Sequence, residues 1–213
     1  IQFKKKEAKS PLFIGVVTKV NAYRKNLDSG YVCVSGYSTT YLLENGKSCH
    51  SWLGHTLGEI VKDLCTKAGV QAQVAPEHNK PVGYICQYKE SDFMFSRRLA
   101  MNYQAWLYYD GTKLVFGKPK KPKAVKLEFD TTLNSFEMGV QTLARPARVF
   151  SYQSKNAHSM AENTPNKPSG LDQLGSKAFQ ASLEMFKEPA LQYAHSRVHH
   201  MQEMEMYVKK KQE

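Results

Sequence analysis

Apolar and polar positions first alternate over residues 12–20. Leu12, Ile14, Val16, Thr18 and Val20 fall on one side, and Phe13, Gly15, Val17 and Lys19 on the other. A period of two predicts a strand, and apolar residues on both sides predict that both its faces are largely buried. Asp28-Ser29-Gly30 supplies a turn, and Tyr31 to Tyr37 alternates again, so the two runs predict an antiparallel hairpin. Two strands bury too little to be stable by themselves, so this hairpin needs more sheet than the first 45 residues provide.

The period becomes helical at residues 56–68. Leu57, Ile60, Val61, Leu64 and Ala68 fall on one face, which Cys65 extends. Thr56-x-x-Glu59 is a capping box that satisfies free amides of the first turn, and Gly69 is the natural left-handed stop. Burying this face contributes about 8 kcal/mol before entropy is counted. Val82 to Lys89 predicts a strand with Val82, Tyr84, Cys86 and Tyr88 on one face. Glu90-Ser91-Asp92 then opens a short helix, with acids at its positive end and Phe95, Leu99 and Tyr103 along one side. Ala105 to Tyr109 returns to strand, Asp110-Gly111 predicts a two-residue hairpin turn, and Lys113 to Phe116 completes the hairpin. Residues 46–117 therefore predict a compact α+β unit.

Gly117 to Lys123 carries two prolines and four lysines and predicts a linker or exposed loop. Strands are predicted again at Ala124–Asp130, Ser135–Ala144 and Ala147–Gln153, with Phe136, Met138, Val140 and Thr142 sharing a face. Pro146 cannot donate to a ladder and marks an edge or a break. Residues 154–177 predict a long polar loop. Ala190 to Lys211 predicts a helix whose narrow seam (Leu191, Ala194, Val198, Met201, Val208) suits packing against one neighbour, which could be another chain.

Composition narrows the function. The 213 residues carry a net charge of +11, clustered at Lys4–Lys6, Lys118–Lys126 and Lys209–Lys211. Such charge attracts nucleic acid without specificity, but two of the clusters lie at chain ends and read as solvated. Trp106, Tyr108, Tyr109 and Lys113 could stack bases, although a hairpin packed on a core requires the same alternation. Cys33, Cys49, Cys65 and Cys86 form no Cys-x-x-Cys pair, which suits a reduced, cytosolic protein. No run of eighteen apolar residues predicts a membrane-spanning segment. The start lacks both an apolar signal core and an initiator Met, so the chain reads as a piece of a longer one. His195 and His199 share a helical face but have no third ligand and no intervening Glu in the zinc-protease pattern. No nucleophile elbow, phosphate loop or dinucleotide fingerprint is present. No catalytic, metal or cofactor residue is expected.

The motifs nevertheless carry a resemblance. Val34-Ser35-Gly36-Tyr37-Ser38-Thr39-Thr40-Tyr41-Leu42-Leu43 resembles a block of the VgrG-type spike proteins of type VI secretion systems. Ser51-Trp52 followed by Thr56-Leu57-Gly58-Glu59-Ile60-Val61 is similar to their next block. Gln87 to Ala100, containing Tyr88-Lys89-Glu90-Ser91-Asp92-Phe93 and Leu99, is similar to a third. Trp106 to Gly111, with Asp110-Gly111, and Leu114-Val115-Phe116-Gly117 follow in order, and Phe13-Ile14-Gly15-Val16-Val17 precedes them all. Thr39 replaces a common Pro, Trp52 a common Phe, Ser96 an apolar residue and Gln104 a common Gly.

The resemblance implies an α+β fold: mainly antiparallel, barrel-like domains of the phage tail hub type with a small inserted α+β unit. It implies strands of a first barrel-like domain at 1–45, incomplete at its N-terminus, and the α+β unit at 46–117. Strands of a second barrel-like domain follow at 118–155. At 156–213 a loop and C-terminal helix lead toward a further spike module. It further implies a non-enzymatic structural hub that forms a homotrimer. That hub docks onto a hexameric, Hcp-type tube ring and meets baseplate components and effectors. It would assemble in the cytoplasm and leave with the injected spike. A phage or prophage tail baseplate hub and a basic nucleic-acid-binding module are the alternatives.

Overall fold

The computed structural model describes residues 13–24, 30–119, 124–144, 146–154, 156–167, 170–194, 198 and 201–212. The chain divides into two units, Ile1–Lys120 and Lys121–Glu213. The fold is mixed α+β, and most of its strand pairs are antiparallel.

The first unit opens with β1 (Gly15–Tyr23) and β2 (Tyr31–Ser38), paired antiparallel as a two-stranded ribbon. A 3-10 helix (Thr39–Glu44), β3 (Ser48–Leu53), α1 (Leu57–Lys67) and β4 (Ala72–Ala75) follow. Then come β5 (Tyr84–Glu90), α2 (Asp92–Asn102), β6 (Trp106–Tyr109) and β7 (Leu114–Gly117). β3 pairs with β5, and β7 lies between β4 and β6.

The helical period over residues 56–68 produces α1 as expected. Thr56 Oγ1 accepts from the Glu59 N–H at 3.2 Å, and the Glu59 carboxylate accepts from the Thr56 N–H at 2.8 Å. That backbone hydrogen bond holds the Glu59 carboxyl below its usual range. Leu57, Ile60, Val61, Leu64 and Cys65 are all buried, packed with Phe95, Leu99, Ala100, Leu114 and Phe116. Burial, then the charge of Asp92, pushes the Cys65 thiol up to about 11, so it stays neutral in the core. Trp52 stacks on Phe95 at 4.9 Å and closes this core from β3.

Both helices end in the same motif. After α1, the Val70 N–H reaches Cys65 O and the Gly69 N–H reaches Thr66 O, with Gly69 at φ +68°. After α2, the Ala105 N–H reaches Ala100 O and the Gln104 N–H reaches Met101 O. Here the left-handed position is taken by Gln104, at φ +51°, a conformation costly for any residue with a Cβ. Its Oε1 is buried and accepts no hydrogen bond among the described residues. Gln104→Gly is therefore expected to stabilise the unit by about 1 kcal/mol. A thermal melt will show this as a rise of roughly 4 °C.

β5 turns its tyrosines outward. Tyr84 and Tyr88 are exposed, while Gln87 is buried and Ile85 packs against the core. The chain tolerates the buried amide because its Nε2 donates to Glu90 O at 3.0 Å and Asp92 Oδ1 at 2.8 Å. The turn at Asp110-Gly111 is longer than two residues. Tyr109 pairs with Leu114, and the Asp110 carboxylate accepts from the Thr112 and Lys113 N–H groups. The sequence pattern also misses the 3-10 helix, β3 and β4.

The second unit holds β8 (Ala147–Gln153), β9 (His158–Asn163), α3 (Gln173–Met185), β10 (Ala190–Tyr193) and α4 (Met201–Gln212). β9 pairs antiparallel with β8, and β10 parallel. Val149, Met160, Ala194, Val198, Met204, Tyr207 and Val208 form its core. The helix expected from residue 190 is corrected. Residues 190–193 are the strand β10, because a ladder to β8 outweighs local helical period, and α4 is described over Met201–Gln212. The long loop expected at 154–177 contains β9 and the start of α3. The strands expected at 124–130 and 135–144 form no ladder. That region has a turn, in which the Asp130 N–H reaches Leu133 O and the Glu128 N–H reaches Thr132 Oγ1, with one isolated bridge from Phe129 to Leu133, and its Leu143 N–H reaches Ser182 Oγ of α3. Strand period alone makes no strand without a neighbour to pair with.

Candidate functional site

Most of the motif residues build the α+β core. Leu57, Ile60, Val61, Leu99 and Phe116 are core side chains, and Phe93 is half-buried against them. Thr56 and Glu59 cap α1, and Ser91 Oγ accepts the Met94 N–H to cap α2, with Asp92 in its first turn. Glu90 is gripped by Arg98, whose Nη2 also donates to Cys86 O at 2.6 Å. This arrangement fastens α2 to β5. Leu43 is buried beneath the 3-10 helix, while Leu42 is exposed. Tyr37 stacks on Tyr41 at 4.8 Å, and Tyr88 points to solvent. Asp110 and Gly111 form the β6–β7 loop, which grips the chain entering β1. The Ile14 N–H reaches Gly111 O at 2.7 Å, and the Tyr109 hydroxyl donates to Ile14 O at 2.7 Å.

The motif glycines sit where no side chain fits. A Cβ on Gly117, at φ +122°, would lie 2.0 Å from Ala75 O, and one on Gly36 would lie 2.2 Å from Val16 O. Both permit close backbone approach between paired strands. Gly15 is the first residue of β1 and pairs with Ser38.

The ribbon is the part of this unit that the core does not explain. Its first strand was expected to be largely buried on both sides. Instead both faces are largely exposed, because among the described residues each strand has a single partner and no layer covers either face. A β-bulge between Val17 and Lys19 shifts the register. Opposed residues share a face, so the bulge moves Val20 onto the side of Val17. One face thus carries Val17, Val20 and Ala22 opposite Gly36, Val34 and Val32. The other carries Val16, Lys19, Asn21 and Tyr23 opposite Tyr37, Ser35, Cys33 and Tyr31. Tyr23 and Tyr31 stack at 5.1 Å on this second face. The aliphatic face lies open, with Val17, Val20, Val32 and Val34 exposed by 55%, 62%, 65% and 48%. Straight alternation cannot reveal this face; Gly36 opposite Val17 marks the place of the bulge, but its position is decided by pairing.

Among the described residues, no group of three His, Cys, Asp or Glu side chains could hold a metal ion. His195 and His199 lie outside the described residues. No described helix is long and apolar enough to cross a membrane. Of the described lysines, Lys67, Lys118 and Lys126 pair with Asp63, Glu77 and Glu128.

The ribbon, the α+β core and the short antiparallel sheets define a fold shared with phage tail proteins. The tail protein of Neisseria meningitidis MC58 superposes with a TM-score of 0.57 at 12% identity, over 95% of this chain and 59% of that one. The 43 kDa tail protein of prophage MuSo2 from Shewanella oneidensis superposes with a TM-score of 0.51 at 20% identity. That match covers 63% of this chain and 42% of the other, so the chain spans about half the length of these tail proteins. No curated protein matches the sequence. The family model for the phage tail baseplate hub (GPD) matches residues 2–213, and the chain belongs to that family.

Proposed function

We propose that this chain is the non-catalytic hub of a contractile injection device, assembling as a homotrimer that docks onto a hexameric tube ring. The observation that carries the proposal is the open aliphatic face of the β1–β2 ribbon on a baseplate-hub chain. A ribbon of two strands with one apolar face is not stable in water unless more protein covers it. In a ring of identical subunits that cover comes from the assembly itself. The resemblance of the blocks at residues 12–117 to type VI spike proteins supports a type VI device, with an Hcp-type tube and effectors as partners. In this reading 1–45 and 118–155 supply strands of two barrel-like domains, and 46–117 is an insertion. The hub assembles in the cytoplasm and is then injected.

The structural likeness to two prophage tail proteins favours a second reading, a prophage tail hub. Its physics is the same and its tube protein differs. Sedimentation of the full chain is expected to give three times the 24.2 kDa subunit mass. A monomer at all concentrations would refute the hub proposal. Co-purification with a type VI tube protein rather than a phage tail tube protein decides between the two settings.

A further inference from the structure

We infer that segment 124–144 of one copy adds to the β1–β2 ribbon of a second copy, completing its sheet. This rests on the ring-forming reading above.

The segment has the sequence of a β-hairpin and lacks its ladder. Val125, Leu127 and Phe129 alternate with Lys126, Glu128 and Asp130, and Phe136, Met138 and Val140 alternate with Glu137, Gly139 and Gln141. Between these arms the chain reverses at residues 128–133, where Asp130 takes φ +63°. Period-two patterning with a formed turn specifies paired strands. Yet neither arm joins a ladder, the one bridge being Phe129 to Leu133 across the turn, and all six apolar side chains are 49–77% exposed. Among the described residues the ribbon has the complementary deficit: two strands without a third partner and an uncovered aliphatic face. Each element offers what the other lacks among the described residues.

Charge selects this occupant over a second ribbon. The described residues of the ribbon and its flanks, 13–24 and 30–38, carry Lys19 and Arg24 and no acid. Segment 124–144 carries Glu128, Asp130 and Glu137 against the single Lys126. Ribbon against ribbon would set cations beside cations, whereas segment against ribbon joins opposite signs. A contact between two different patches is heterologous, and repeated head to tail it closes a ring. Strand addition also satisfies the free backbone groups along the ribbon edges.

Sign reversal on the full chain tests the pairing. K19E/R24E makes the ribbon acidic, and E128K/E137K makes the segment basic. Each double variant is expected to weaken self-association about tenfold or more, and the four-fold variant to restore it. Fluorescence of buried Trp52 reports that the α+β core stays intact in each. In a parallel experiment, equal amounts of 14N- and 15N-labelled unmodified chain are mixed and joined by a carbodiimide. Peptides containing Lys19 linked to Glu128, Asp130 or Glu137 are expected in mixed-isotope pairs. If the unmodified chain is monomeric, the hub reading fails and the inference falls with it. If it assembles but neither reversal weakens it, or the four-fold variant is not restored, the hub reading stands and this pairing is wrong. Cross-links confined to single-isotope pairs would place the pairing within one chain and overturn the inference.

Discussion

Replacing Leu64 by Asp is expected to unfold the first unit. Leu64 is 4% exposed and packs on the face of α1 shared with Leu57, Ile60 and Val61. The change removes its burial and sets an unpaired carboxylate among Phe95, Leu99 and Phe116. A lost leucine costs about 2–5 kcal/mol, and an unpartnered buried polar group adds about 1–3 kcal/mol. Together these approach the whole stability of a small unit, which is about 5–15 kcal/mol. Trp52 reports the outcome, since it is buried and stacked on Phe95. Its emission should shift to the red in buffer without denaturant, and the urea transition should disappear. A cooperative transition at the wild-type midpoint would show that the α1 face is not core.

The second large effect concerns assembly rather than folding. Val34→Asp places a charge at the centre of the aliphatic face, opposite Val20. Val34 is 48% exposed in the single chain, so the charge costs little there. In an assembly that covers the face, the same carboxylate is desolvated with no partner, at a cost of several kcal/mol. A penalty of about 4 kcal/mol weakens association by roughly a thousandfold, enough to leave monomers at micromolar concentration. Light scattering should therefore fall to the subunit mass while Trp52 emission and the melting transition stay unchanged. Assembly at full strength would mean that this face stays solvated in the hub. The neighbouring Tyr face provides a control. Cys33→Ser lies on it, opposite Asn21, and should leave the mass unaltered.

The two variants separate stability from assembly. The family blocks concentrate in the α+β core, where they specify caps, close approaches and buried contacts. The surface proposed to act on other subunits lies on the β1–β2 ribbon, outside that core. Among the described residues the ribbon is tied to the rest of the unit at one end, through Tyr109, Thr39, the Tyr37–Tyr41 stack and the Ile14–Gly111 hydrogen bond. Such an element can be presented to a neighbour while the core remains closed.

Local chemistry was readable in the amino-acid sequence. The Thr56–Glu59 capping box, the buried stripe from Leu57 to Leu64 and the Gly69 stop depend on residues within one or two turns of each other. A helix whose period, cap and terminator agree needs no distant information. The same holds for the start of α2 at Ser91-Asp92. Pairing was not readable, because a ladder depends on residues far apart in the chain. The bulge after Val17, which gathers Val17, Val20, Val32 and Val34 on one face, exists only relative to β2. Residues 190–193 read as helix until β8 was there to pair with them, and buried Gln87 is tolerated only because Glu90 and Asp92 accept from it. Residues 124–144 show the converse: a strand pattern written in full, with no ladder in the isolated chain. Side-chain period is a property of the chain itself, whereas a hydrogen-bonded sheet also requires a neighbour, and only tertiary structure decides which neighbour is present.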